Sequence, residues 1–158
     1  MDNKVYGIND LCLLREKWQL ENQKVVFTNG CFDLIHRGHL DYLSKAKKMG
    51  DKLIVAINSD ASVRRLKGEE RPIKPELDRL LTMAAFYFVD AVVLFEQDTP
   101  KEVIDLLIPN VLVKGGDYII EEIVGYDTVT KNGGEVKTIQ FIEGSSSSNF
   151  INKIKGSV

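Results

Sequence analysis

The sequence holds only two cysteines, Cys12 and Cys31, and no Cys-x-x-Cys pair. A framework of several disulfides is excluded, and both residues are read as reduced thiols of a cytoplasmic protein. No stretch approaches the roughly 20 apolar residues of a membrane-spanning helix. The opening Met1-Asp2-Asn3-Lys4-Val5-Tyr6 lacks the apolar run of a signal peptide. Neither charge is in excess: 21 Lys and Arg stand against 23 Asp and Glu, a formal net charge of −2. Without a basic footprint the chain is a poor candidate for coating nucleic acid, although a local basic patch fits these counts. A Walker loop, a Gly-x-Gly-x-x-Gly run and a Gly-x-Ser-x-Gly elbow are also missing, so nucleophilic hydrolysis lacks its usual elements. What is present is ordinary globular material, 158 residues with 44% hydrophobic and 28% charged, expected to form one domain over 1–158.

Two kinds of segment alternate along the chain. Asn9 is expected to cap a helix through Leu11, Leu14, Trp18 and Leu20. Residues 24–29 read as a strand, 30–38 as a loop, and Leu40, Leu43, Ala46 and Met49 as a helix stopped by Gly50. Leu53-Ile54-Val55-Ala56-Ile57 is the continuous apolar run of a strand buried on both faces of a parallel sheet. Further on, the pattern predicts a helix over 76–88, a strand over 91–95, and a helix opened by Thr99-Pro100 and reaching Leu107. A strand over 111–113, a short helix over 120–124, a turn at Asn132-Gly133-Gly134, a strand over 136–142 and a tail helix over 147–154 complete it. The order implies an α/β fold: a doubly wound, Rossmann-like, mostly parallel sheet of about five strands, with helices on both faces.

In such sheets ligands sit beyond the carboxyl ends of the strands. The segments expected there are 29–39, 58–71, 114–118 and 144–149. The first contains Asn29-Gly30-Cys31-Phe32-Asp33-Leu34-Ile35-His36-Arg37-Gly38-His39, with the only two histidines of the chain three residues apart. A helix start beside Gly38 would offer free N–H groups and a positive dipole end to phosphate. Two imidazoles aimed at the same place could stabilise charge developing on a phosphoryl group. From spacing alone, His36 and His39 serve equally well as surface residues at a helix cap. A zinc site lacks further ligands. Arg64-Arg65-Leu66-Lys67-Gly68-Glu69-Glu70-Arg71 reads as a mixed-charge loop, Lys114-Gly115-Gly116-Asp117 as a strand-end turn, and Ser145–Ser148 as a run of hydroxyls before a helix.

The segment Gly30 to His39 resembles the nucleotidyltransferase superfamily marked by His-x-Gly-His. Within it the chain is similar to the heptose-1-phosphate adenylyltransferase branch, over roughly residues 11–154. The resemblance includes Asn58-Ser59-Asp60, Arg65-Leu66-Lys67-Gly68, Arg71-Pro72, Asp98-Thr99-Pro100, Val113-Lys114-Gly115-Gly116-Asp117-Tyr118 and Asn132-Gly133-Gly134-Glu135-Val136. It implies transfer of AMP from ATP to a heptose 1-phosphate with release of pyrophosphate. Mg²⁺ would be held mainly by the triphosphate rather than by protein ligands. Its implied catalytic residues are His36, His39, Lys67 and Arg79, with Lys67 and Arg71 toward the sugar phosphate or pyrophosphate. Its implied nucleotide-binding residues are Asn29, Gly30, Cys31, Phe32, Asp33, Gly38, Asp60, Gly115, Asp117, Tyr118, Gly144, Ser146, Ser147 and Ser148. A separate sugar kinase would supply the heptose phosphate, no nucleic acid or membrane partner is implied, and a homodimer is left open.

Three departures bear on substrate choice. Ser146-Ser147-Ser148-Asn149 replaces the heptose branch's Ser-Thr-Thr-Asn, keeping each hydroxyl. Phe141 falls where glycerol-phosphate cytidylyltransferases carry arginine, and Gly116 falls where that branch places aspartate. Both weaken the cytidine reading. An FAD-synthetase-like transferase and a non-catalytic nucleotide sensor also remain open, and the intact His36, His39, Lys67 and Arg79 speak against a mere sensor.

Overall fold

The computed structural model describes residues 2–140 and Gly156, and the elements below are those of the described residues. They are β1 (Val5–Tyr6), α1 (Ile8–Leu20), β2 (Val25–Gly30), α2 (Arg37–Lys47), β3 (Lys52–Asn58) and α3 (Asp60–Lys67). After these come α4 (Glu76–Ala84), β4 (Ala91–Phe95), α5 (Lys101–Leu107), β5 (Val111–Gly115), α6 (Tyr126–Lys131) and β6 (Glu135–Ile139). The strands form one sheet in the order β1-β4-β3-β2-β5-β6, and every pair is parallel.

The apolar run in β3 shows why the sheet is covered twice. Residues Leu53 to Ile57 have no exposed surface, and successive side chains point to opposite faces. Leu53, Val55 and Ile57 pack with Tyr42, Leu43 and Ala46 of α2 and Leu80 and Met83 of α4. Ile54 and Ala56 pack on the other face with Leu11 and Trp18 of α1 and Ile104 and Leu107 of α5. Fully burying one such aliphatic side chain contributes about 1.5–3 kcal/mol, so the two layers stabilise the sheet together.

The chain moves outward from β2 to β3 and β4, then returns through α5 to place β5 on the other side of β2. That reversal is the topological switch point, where a crevice is expected. The β2–β3 register runs the full length of β2, from Val25 opposite Lys52 to Gly30 opposite Ile57. On the other side β2 pairs with β5 only at Val26–Val111 and Phe27–Leu112. Beyond Phe27 the two strands part, and side chains bridge them. The buried Tyr42 hydroxyl donates to the Val113 carbonyl at 3.1 Å and shares a short hydrogen bond with the Thr28 hydroxyl. Lys114 Nζ donates to Asn29 Oδ1 at 3.3 Å.

Several expectations are corrected. The sheet has six strands, because β1 is a two-residue edge strand too short for any periodicity to mark. Asn9 lies inside α1, whose N-cap is Gly7. Arg64 to Lys67 are the last turn of α3 and not a loop; Ser59 caps that helix by accepting from the Ser62 N–H at 3.1 Å. The fourth helix stops at Ala84. Between β5 and β6 only a single 3₁₀ turn covers Ile120–Glu122, and α6 follows it. The expected tail helix and the last residues of the expected final strand lie outside the described residues. Among the described residues no helix is long and apolar enough to cross a membrane.

Candidate active site

Because all strands run the same way, their carboxyl ends share one edge, and a cleft of about 490 Å³ opens there. Residues 29–33, the end of β2 and the loop after it, form one wall with His39 and Tyr42 of α2. Asn58, Leu66, Lys67 and Arg71 form a second wall, and Asp98 to Pro100 a third. Lys114, Gly115, Tyr118 and residues 122–124 close the side beyond β5.

The loop after β2 is shaped by one unusual backbone. Phe32 has φ 47°, the left-handed region that a bulky side chain rarely adopts. Strain of this kind persists where surrounding structure over-determines it, commonly at functional sites. The buried Phe32 ring lies over Gly30, where an added Cβ would press it at 3.0 Å. It also meets the His39 ring edge-on, with centroids 5.4 Å apart. His36 is the N-cap of α2 but makes no side-chain capping bond. Instead its ring lies beside that of His39, centroids 3.9 Å apart and planes 31° from parallel. Capping the helix is therefore not what the imidazoles do.

The surroundings of the pair disfavour the charged form of both imidazoles. Burial, the neighbouring His36 and the Lys67 ammonium together push the His39 imidazole down to about 4. Burial also lowers His36. His39 Nδ1 is buried and has no hydrogen-bond partner among the described residues. Lys67 ends α3 on the exposed surface, where a cation suits the negative end of the helix dipole.

Arg79 stands elsewhere than a phosphate-touching role would put it. Its side chain has no exposed surface. Nε donates to the Lys74 carbonyl at 3.0 Å, and Nη1 to the carbonyls of Cys31 at 2.7 Å and Asn58 at 2.8 Å. Nη2 pairs with Asp60 Oδ1 at 2.8 Å. Four of the five guanidinium N–H groups are thus engaged by protein, and Arg79 positions the walls from behind. Asp60 is the counter-ion of that guanidinium.

Arg71 is similarly tied. Its Nε donates at 2.8 Å to Asp33, which is 2% exposed and also accepts from the Ile73 and Lys74 N–H groups. Those bonds hold the Asp33 carboxyl below its ordinary range against the opposing effect of burial.

Of the sequence-named residues, Asn29, Gly30, Cys31, Phe32, Asp33, His39, Lys67, Arg71, Gly115 and Tyr118 line the cleft. His36 reaches it through His39, Gly38 is buried in the first turn of α2, and the exposed Asp117 accepts from Gln140 at 3.3 Å. Gly144, Ser146, Ser147 and Ser148 lie outside the described residues. The residue that sequence reasoning missed is Lys114, which reads as part of a plain turn. It sits in the cleft at the β2–β5 parting, enters no ion pair among the described residues, and is held below its ordinary range by burial. A lysine at the carboxyl end of an expected central strand is the signal that could have found it.

Comparison with known proteins decides the family. The cytidylyltransferase-like family matches residues 27–153. This chain belongs to that family and is a nucleotidyltransferase. It is 51% identical to the bifunctional protein HldE of Citrifermentans bemidjiense over 99% of this chain and 32% of that protein. With the bifunctional protein HldE of Campylobacter jejuni subsp. jejuni serotype O:6 it shares 56% identity, over 85% of this chain and 28% of that protein. The chain therefore spans about a third of the length of the curated relatives it matches. The solved lipopolysaccharide core biosynthesis protein of Thermoplasma volcanium has a TM-score of 0.62 at 28% identity, covering 78% of this chain and 99% of that one. A pantoate-β-alanine ligase of Francisella tularensis, 14% identical with a TM-score of 0.59, covers 96% of this chain and 76% of its own and shares the fold.

The cleft can be tested at His39, which lines it, and at Arg79, which lies behind its walls. Arg79→Met leaves Asp60 unpaired and three carbonyls without donors, so the variant should lose about 3–5 kcal/mol in denaturant unfolding. A loss under about 1 kcal/mol would show that Arg79 does not hold the walls together. The depressed His39 value makes the unfolded chain bind a proton near pH 6.5 that the folded chain refuses until about pH 4. Stability should therefore fall as pH drops through that window. NMR titration of the nucleotide-free protein should show His39 titrating near 4 and not near 6.5.

Proposed function

We propose that this nucleotidyltransferase moves AMP from ATP to a heptose 1-phosphate, as the D-glycero-β-D-manno-heptose 1-phosphate adenylyltransferases do, for lipopolysaccharide or related surface-glycan synthesis. The observation that carries the reading is the arrangement of Lys67, Lys114 and the paired imidazoles of His36 and His39 around one cleft. The identity to HldE proteins across nearly the whole chain supports the sugar. So does the likeness to a lipopolysaccharide core biosynthesis protein.

In this reaction an oxygen of the sugar phosphate attacks the α-phosphorus of ATP. A P–O bond forms there as the bond to the β-phosphate oxygen breaks, and pyrophosphate leaves with the electron pair. No protein nucleophile is needed. The protein positions the groups and stabilises charge, as in phosphoryl transfer generally. His36, His39 and the first N–H groups of α2 face the triphosphate, and its charge favours the protonated imidazoles that burial disfavours. Lys67 and Lys114 flank the transferring group, and Arg71, oriented by Asp33, points to the sugar phosphate or pyrophosphate. Mg²⁺ enters with ATP as part of the substrate. The nearby carboxylates Asp33, Asp60 and Asp98 are already paired with Arg71, Arg79 and Arg65, which suits a metal liganded by phosphate oxygens. Tyr118 and Gly115 are assigned to the nucleoside side. Phe141, in place of the cytidine branch's arginine, favours adenine.

The test is pyrophosphate release with ATP, CTP and GTP against a panel of sugar 1-phosphates. ATP with the heptose phosphate should exceed CTP by at least about tenfold in kcat/KM, or 1.4 kcal/mol of transition-state binding. His36→Ala and His39→Ala should each lower turnover by ~10²–10³-fold, and Lys114→Met by a comparable factor. Equal turnover with CTP, or near-normal activity of the histidine variants, would overturn the reading.

A further inference from the structure

At the opposite edge of the sheet lies a second cavity, of about 420 Å³. It is built at the amino ends of the strands: Lys24 precedes β2, Asn110 precedes β5 and Asn132 lies just before β6. With about 3.3 Å of rise per residue, Val25 and Gly30 are about 17 Å apart along β2, so the two cavities lie at opposite ends of the same strand. Among the described residues the polar lining consists of Arg15, Lys24 and five side-chain amides, Asn110 and Asn132 among them, with no carboxylate.

Arg15 is the anomaly. Its side chain is buried in the α1 face, 7% exposed. Nη2 donates to the Ile108 carbonyl at 3.0 Å and to Asn110 Oδ1 at 3.4 Å. Nε and Nη1 are buried and have no acceptor among the described residues. Among the described residues no carboxylate pairs with it, and burial alone disfavours its charge. Contrast Arg79, whose burial is answered by Asp60 and three carbonyls. A buried arginine without a counter-ion is costly, and such groups are ordinarily paired. The carboxylates nearby belong to Lys24: Glu135 lies 3.4 Å from its Nζ, both partly exposed, and Asp51 accepts its backbone N–H at 2.7 Å. Asn110 Oδ1 also accepts the Val25 N–H at 2.9 Å, which fixes that amide so that its NH₂ group is the part left to donate.

We propose that this cavity is a second anion site, taking a small phosphorylated molecule with Arg15 and Lys24 on the phosphate and the amides on its hydroxyl groups. Two cations match the roughly −1.5 to −2 charge of a phosphate monoester better than a single carboxylate would. The guanidinium brings a full positive charge to the cavity wall, with its Nε and Nη1 hydrogens untaken among the described residues. Amide side chains both donate and accept, as sugar hydroxyls do, and the volume accommodates more than a bare ion. The site is independent of the reaction assigned to the cleft.

The experiment is an NMR titration of the full ¹⁵N-labelled chain with inorganic phosphate and, separately, a hexose phosphate. It follows the Arg15 Nε–H and the side-chain amides of Asn110 and Asn132, with Gly30 and His39 reporting on the cleft. Saturable shifts at Arg15, Asn110 and Asn132, with the hexose phosphate binding more tightly, are expected. The partly exposed Lys24→Gln variant should weaken that binding by about fivefold, corresponding to about 1 kcal/mol, and leave the Gly30 and His39 titrations unchanged. Arg15→Gln should abolish it; if that variant does not fold, the Lys24→Gln comparison decides. Shifts confined to the cleft reporters, shifts that never saturate, or full-strength binding by Lys24→Gln would each overturn the proposal.

Discussion

One buried guanidinium holds the cleft in shape. Arg79 projects from α4 and joins the loop after β2, the end of β3, the start of α3 and the turn before α4, through Cys31, Asn58, Asp60 and Lys74. Cys31 and Asn58 themselves line the cleft, and Lys67 and Leu66 reach it from the far end of α3. A charge so fully removed from water is tolerable only with its acceptors in place, so the walls and the arginine depend on one another. Groups that stabilise a transition state must be held within a fraction of an ångström, by neighbours that are themselves fixed. Arg79 supplies that fixing for the histidine loop, as Tyr42 does where β2 and β5 part.

The electrostatics follow from the same packing. Arginines around the cleft are answered by protein: Arg71 by Asp33, Arg79 by Asp60, Arg65 by Asp98. Lys67 and Lys114 enter no ion pair among the described residues, and His39 is held neutral by burial and by Lys67. Such a site is short of negative charge, which is what the proposed triphosphate substrate would supply. Anion binding then restores the charges that burial suppresses, which strengthens each contact in a cleft of low dielectric.

Much of this is legible in the sequence, for physical reasons that differ between elements. The continuous run of β3 announces burial on both faces, and the apolar run Ala91–Phe95 marks β4 to the residue. Helix α3 is hidden because Arg64, Arg65 and Lys67 crowd its last turn, and only Ser62 and Val63 are buried in it. The helix is held by the Ser59 cap and by tertiary contact instead of by a broad apolar stripe. Strand β1, two residues long, carries no period at all. At the site, His36, His39 and Lys67 stand out through their motif. The motif cannot say that Arg79 works from behind the wall, because contact and support leave the same letter in a sequence. Lys114 is placed at the ligand edge by the sequence but given no role, because its importance comes from the β2–β5 parting, which is a property of the sheet and not of any local pattern.

Direct transfer in a positioning cleft makes the stereochemical course at the α-phosphorus the most telling measurement. ATP carrying a chiral sulfur-substituted α-phosphate should yield a nucleotide-sugar product with inverted configuration, because a single in-line displacement inverts the centre. Retention would show two displacements, hence a covalent nucleotidyl-protein intermediate, and would contradict a cleft that works by placement and charge alone.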